Sequence, residues 1–232
     1  MTVKGSFRLA RVGLLAAMLS GAAPAASACG LELILAMDVS RSVVNAEYDL
    51  QMGGLAAAFR SAEVIEAIEW TPGGIMVTVT QWSGPRSQSQ SVPWAHVSTA
   101  VEALAFADAI DNQQREFFAA YTAIGEALYH AARVSDANPK QCQRKVIDVS
   151  GDGHSNRGRP ARPVAEALAV KGYTVNGLVI EGALGEDLVE FYLRNVTRGP
   201  GSFVEVADGF EDYARAIRVK LVREMTPQLA AR

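Results

Sequence analysis

Leu33-Ile34-Leu35-Ala36-Met37 is an uninterrupted apolar run that stops at Asp38, Ser40 and Ser42, spaced D-x-S-x-S. A run of this length without polar alternation suits a strand buried on both faces, as in a parallel sheet covered by helices. In open α/β sheets, ligands bind beyond the carboxyl ends of the strands. The first strand therefore delivers a carboxylate and two hydroxyls to the edge where a ligand would sit. Oxygen donors suit a hard cation such as Mg²⁺, which takes octahedral geometry and keeps some waters. Asp and Ser are also common helix N-caps, so the triplet alone reads too as the start of the next helix.

The rest of the chain must supply the other half of such a site. Val43, Tyr48, Met52, Leu55, Ala56 and Phe59 recur at helical spacing, with Gly53-Gly54 marking close packing or a kink. A short helix over 62–68 follows, then a turn at Thr71-Pro72-Gly73-Gly74. Residues 75–82 are β-branched and aromatic, the composition of a second strand. Residues 87–94 alternate and are polar, as in an antiparallel edge strand. A helix is predicted over 97–110. Another carries Ile124, Ala127, Leu128 and Ala131 on one face, with Thr122 just ahead in an N-cap position.

Residues 145–150 read as a strand, and Gly151-Asp152-Gly153 then turns the chain with a second carboxylate just past a strand end. An Asp-Gly turn is common in its own right. A helix over 161–170 with Pro160 and Pro163 near its start, a strand over 173–180 and a helix over 186–194 follow. That helix turns Leu188, Phe191 and Tyr192 inward. A short strand over 202–206 precedes a last helix with Phe210, Tyr213, Ala214, Ile217 and Leu221 on its inner face.

Strands and helices alternating in this way predict an α/β fold: a doubly wound, mostly parallel sheet with one antiparallel edge strand and helices on both faces. Right-handed crossovers leave few topologies. In the common doubly wound order the first and fourth strands are neighbours at the switch point. Asp38, Ser40, Ser42, Thr122 and Asp152 then meet in one crevice.

The segment ahead of the fold has a different character. Lys4, Arg8 and Arg11 form a positive start, residues 12–19 a short apolar core and Ala26-Ser27-Ala28 a small-residue cleavage site. Residues 1–28 are expected to be a secretory signal peptide, leaving 29–232 as one domain with its core at about 31–225. The apolar stretch is too short to span a membrane. The exported chain would be periplasmic or secreted, in a Gram-negative-type bacterium. Loss of those three cations takes the formal net charge from −3 to −6, which argues against general nucleic-acid binding.

Export permits a disulfide between the two cysteines, Cys29 and Cys142. Each lies at similar depth before Asp38 and Asp152, at the far end of neighbouring strands ~4.8 Å apart, close to the Cα separation a disulfide accepts. Lipidation of Cys29 is the alternative; a lipobox prefers Leu three residues earlier, where this chain has Ala26. Two free thiols are a third reading.

Taken together, these residues resemble a von Willebrand factor type A domain with its metal-ion-dependent adhesion site. Asp38, Ser40 and Ser42 match its D-x-S-x-S element, Thr122 its threonine element and Asp152-Gly153 its later Asp-Gly element. One departure is Ser150-Gly151, since the family often has Thr directly before the Asp. The resemblance implies that Ser40 and Ser42 bind one divalent cation directly, Thr122 directly or through water, and Asp38 and Asp152 often through water. Mg²⁺ is the expected ion, with Mn²⁺ or Ca²⁺ as alternatives. An acidic side chain of a protein partner would fill the open coordination position, because an under-neutralised hard cation favours an incoming carboxylate. The expected role is non-catalytic recognition. The competing roles are a metal-dependent hydrolase or phosphatase, which would want an acid where Ser40 stands, and a structural envelope component.

Three other sites receive less support. His96, His130 and His154 lack zinc-ligand spacing, and His154 in its turn reads as a solvated residue or part of the site rim. Arg157, Arg159 and Arg162 form a basic turn, read as a solvated loop or as steering for an acidic partner. Glycine-rich phosphate loops and G-x-S-x-G are absent.

Overall fold

In a computed structural model, residues 1–2, 29–118, 121–182 and 187–226 are described. The expected signal segment lies outside the described residues except for its first two. Six strands build one sheet in the order β3-β2-β1-β4-β5-β6. These are β1 (Cys29–Asp38), β2 (Ile75–Trp82), β3 (Gln88–Val97), β4 (Cys142–Gly151), β5 (Tyr173–Ile180) and β6 (Val204–Ala207). Only β3 runs antiparallel, against β2, among the described strands. The helices are α1 (Asn45–Arg60), α2 (Ala62–Trp70), α3 (Ala100–Asp111), α4 (Ile124–Asp136), α5 (Ala161–Val170), α6 (Asp187–Asn195) and α7 (Tyr213–Met225).

Alternating side chains of β1 feed two cores. Leu31, Leu33, Leu35 and Met37 pack with α1, α2, α3 and α7, whereas Ile34 and Ala36 pack with α4, α5 and α6. All ten residues of β1 are buried, which explains why its sequence lacks polar alternation. A Cβ at Gly54 would stand 3.0 Å from the Tyr213 ring and 3.2 Å from the Ala214 backbone, so this glycine serves close packing of α1 on α7. Val97 belongs to β3 rather than to the following helix. That helix starts later, at Ala100, because Thr99 caps it and Glu102 accepts from the Ser98 N–H at 2.7 Å.

Cys29 and Cys142 face each other across the β1–β4 pair and are disulfide-bonded, with Cα atoms 4.5 Å apart. A sulfur so engaged is not available for lipid attachment. The bridge closes a loop long enough for the chain-entropy model to assign it about 4–5 kcal/mol.

One buried charge cluster pins α7 to β4. Lys220 Nζ lies 3.0 Å from Asp148 Oδ1 and 2.5 Å from Glu224 Oε1, and Asn176 Nδ2 donates to Glu224 Oε1 at 2.7 Å. Lys220, Asp148 and Glu224 are each at most 3% exposed. One ammonium thus faces two carboxylates away from water. Burial, with Glu224 adding and Lys220 opposing, raises the Asp148 carboxyl above its ordinary range. The folded protein then keeps a proton that the unfolded chain releases, so this group's contribution to stability declines as pH rises from the ordinary carboxylate range toward neutrality. Urea unfolding of Asp148→Asn should show a flatter pH dependence over that interval than the wild type. Lys220→Met, which strands both carboxylates, should cost about 3–5 kcal/mol at neutral pH and less in acid.

Candidate metal centre

The parallel β1–β4 register, Met37 opposite Ser150, brings Asp38 and Asp152 to the same edge. Asp38 ends β1 and is fully buried. Its Oδ1 accepts the Ser40 N–H at 2.7 Å, an Asx-type turn that swings the chain across the strand end. Ser40 Oγ lies 3.1 Å from Ser42 Oγ, and Ser42 Oγ donates to Asp152 Oδ1 at 2.9 Å. Thr122 Oγ1 reaches Ser40 Oγ at 3.5 Å. The five residues singled out in the sequence therefore converge. Asp38, Ser40 and Thr122 are buried, Asp152 is half-buried and Ser42 is exposed, so the cluster is a cup with an open side.

None of these side chains is used as a helix cap. The residue before α1 is Val44, and the residue before α4 is Ala123, neither making a side-chain cap bond. Thr122 instead turns its hydroxyl toward Ser40. Its backbone is held from both directions: Thr122 N–H donates to Asn156 Oδ1 at 3.0 Å and Asn156 N–H returns to Thr122 O at 2.9 Å. The first loop is held by Arg115, which donates to the carbonyls of Val39 at 3.0 Å and Ser40 at 2.8 Å, and by Gln51, which donates to Asp38 O at 3.1 Å. Sequence reading missed Arg115, Gln51 and Asn156. They bind backbone across long sequence separations, and no local pattern marks such contacts.

The electrostatics are those of a site short of positive charge. Burial first, and then Asp152, push the Asp38 carboxyl up to about 8 against the opposing pull of the Ser40 N–H and Arg115. Burial also raises Asp152, with the Ser42 hydroxyl opposing. Asp38 Oδ2 is buried without a hydrogen-bond partner. Two carboxylates and three hydroxyls around an unpartnered buried oxygen fit a hard divalent cation. Among the described residues no three His, Cys, Asp or Glu side chains are placed to hold a metal ion together, which separates this donor set from a zinc site of the usual kind.

The surroundings are asymmetric. On one side Arg157 stacks on the exposed Tyr121 ring at 4.8 Å and Arg115 on the exposed Phe118 ring at 4.7 Å. On the other, a cleft beside Ser42 and Asp152 is lined by Glu47, Glu181 and Glu211. Arg159 and Arg162 of the basic turn are paired with Glu126 and Glu166. His154 lies 3.3 Å from Asp187 and edge-on to Phe191, so it ties the turn to α6.

The chain belongs to a family described as "Protein of unknown function (DUF1194)", whose profile matches residues 28–229. No curated protein matches it. Its fold is that of von Willebrand factor type A domains. Proximal thread matrix protein 1 of the mussel byssus is 18% identical, with a TM-score of 0.64 over 85% of this chain and 49% of that one. A form of that protein with a zinc-occupied MIDAS motif matches with a TM-score of 0.61 at 17% identity, over 84% of this chain and 46% of that one. A von Willebrand factor type A structure from Catenulispora acidiphila gives 0.52 at 17% identity, over 88% and 44%. The domain of the type V pili tip protein Mfa5 from Porphyromonas gingivalis gives 0.55 at 9% identity, over 89% and 99%. The chain spans about half the length of the first of these. At such identities the likeness establishes the fold.

The Arg115 clamp is open to test. Arg115→Ala removes two charge-assisted bonds to the loop that carries Ser40 and should lower stability by about 1–3 kcal/mol, read by urea unfolding.

Proposed function

We propose that this chain is an exported, non-catalytic recognition module. It holds one divalent cation among Asp38, Ser40, Ser42, Thr122 and Asp152 and binds an acidic side chain of a partner protein through that ion. The observation that carries the reading is the convergence of these five side chains on one cup, with Asp38 Oδ2 left buried and unpartnered. The zinc-occupied MIDAS of the byssus protein and the pilus-tip setting of Mfa5 support it by analogy of fold.

The cation supplies Lewis acidity toward a carboxylate, since only two of the five donors carry charge. Mg²⁺ suits the all-oxygen set, with Mn²⁺ and Ca²⁺ as alternatives. The protein's own residues do the rest. Ser42 presents its hydroxyl at the open side, Ser40 and Thr122 present theirs from the buried side, and Asp38 and Asp152 hold the cation or its waters. The arginine-stacked rings of Phe118 and Tyr121 offer the aromatic and guanidinium chemistry common at protein interfaces. Removal of residues 1–28 on export, with 29–232 as the mature domain, belongs to the same reading, as does a periplasmic or secreted location.

Calorimetric titration with Mg²⁺, Mn²⁺ and Ca²⁺ tests the core of this reading. One saturable site is expected, lost in Asp38→Ala, with acetate strengthening the cation's binding; absence of any cation binding, with and without acetate, would sink it. Because a cation must displace the proton on Asp38, affinity should rise by up to about tenfold per pH unit below about 8 and level off above it.

A further inference from the structure

Tyr192 breaks an economy that cores normally keep. It lies on α6, is fully buried, and its hydroxyl has no hydrogen-bond partner. A buried unpaired hydroxyl is destabilising, a cost that phenylalanine would avoid with the same ring. The position of that hydroxyl gives it a use. A Cβ at Gly151 would stand 2.7 Å from Tyr192 Oη and 3.1 Å from Asp38 Oδ2. Two orphaned buried polar atoms, a donor and an acceptor, thus face each other across the bare Cα of Gly151 and approach as they do because residue 151 has no side chain. A second glycine clears the approach: a Cβ at Gly177 would stand 2.7 Å from Tyr192 Cδ1. Gly177 pairs with Val149 and Gly151 with Val179, so the two glycines sit on the adjacent strands β5 and β4. Together they form a lane across the sheet through which the ring passes to the carboxylate. Neither Gly151 nor Gly177 has a positive φ, so space rather than backbone conformation accounts for both.

We propose that Tyr192 is a positioning residue of the candidate metal centre, its hydroxyl facing the inner oxygen of Asp38 across Gly151 as the donor that this oxygen otherwise lacks. The arrangement explains the departure at Gly151: a side chain there would strike the phenol and crowd the Asp38 carboxylate. The hydroxyl that this chain lacks before Asp152 comes instead from α6. Outer hydrogen bonds of this kind orient a ligating carboxylate and are commonly worth 10- to 100-fold in metal affinity.

The inference rests on the cation reading above, and two measurements separate them. The first is calorimetric titration of wild type, Tyr192→Phe and Asp38→Ala with Mg²⁺. Wild-type binding that weakens about tenfold or more in Tyr192→Phe and vanishes in Asp38→Ala is expected. Wild-type affinity in Tyr192→Phe overturns the positioning role while leaving the cation site intact. No binding by the wild type overturns both. The second measurement needs no metal: a double-mutant cycle of Tyr192→Phe and Asp38→Asn in urea unfolding of the metal-free protein. Non-additive midpoints are expected, because the two groups face each other across Gly151. Additive midpoints overturn the contact itself, whatever the titration gives.

Discussion

The candidate site depends on one strand pairing. β1 and β4 are far apart in sequence yet lie side by side and parallel from Cys29–Cys142 at one end to Met37–Ser150 at the other. Side chains alternate along a strand, so a slip of one residue would exchange the two cores and turn Asp38 away from Asp152. The register is fixed redundantly: by apolar side chains that fill both faces, by the disulfide at the start, and by the Lys220 cluster on Asp148 partway along. The carboxylates at the far end are carried together by a register that is set along the whole length of the two strands.

Charge is distributed with corresponding economy. Two of the places where carboxylates are buried in this sheet, at Asp148 and at Asp38, carry more acid than base. Beneath α7 the shortage is met internally, by Lys220 and a retained proton. At the strand ends no lysine is supplied, and Arg115, the nearest cation acting on Asp38, is committed to backbone carbonyls. The two clusters differ in what they leave open. One is closed off by α7, whereas the other faces solvent at Ser42.

Much of this was legible in the chain itself. The apolar run before Asp38, the β-branched run of β2 and the helical spacing of α4 each answer to a local rule, and strand alternation predicted the order of the sheet. Element ends were less legible where capping decides them, as at Ser98 and Thr99, which moved the start of α3. The convergence of the five site residues followed from strand order, because a switch point is a property of topology. What no single-sequence pattern could reveal was the supporting shell. Arg115, Gln51 and Asn156 act on backbone atoms, and Tyr192 reads from its spacing as one more inward aromatic. Its difference from Phe191 or Leu188 lies in two glycines on other elements.

The disulfide has a mechanical consequence. It joins β1 and β4 at the end opposite the candidate site, and β1 is the first element of the described fold. Fraying of β1 from its first residue would have to carry β4 with it, because a covalent bond joins the two central strands there. Peeling β1 from the sheet, the easiest failure of a terminal strand under load, is blocked at its first residue. A pull at Asp38 or Asp152 would therefore be shared along two parallel strands that are covalently linked at their far end.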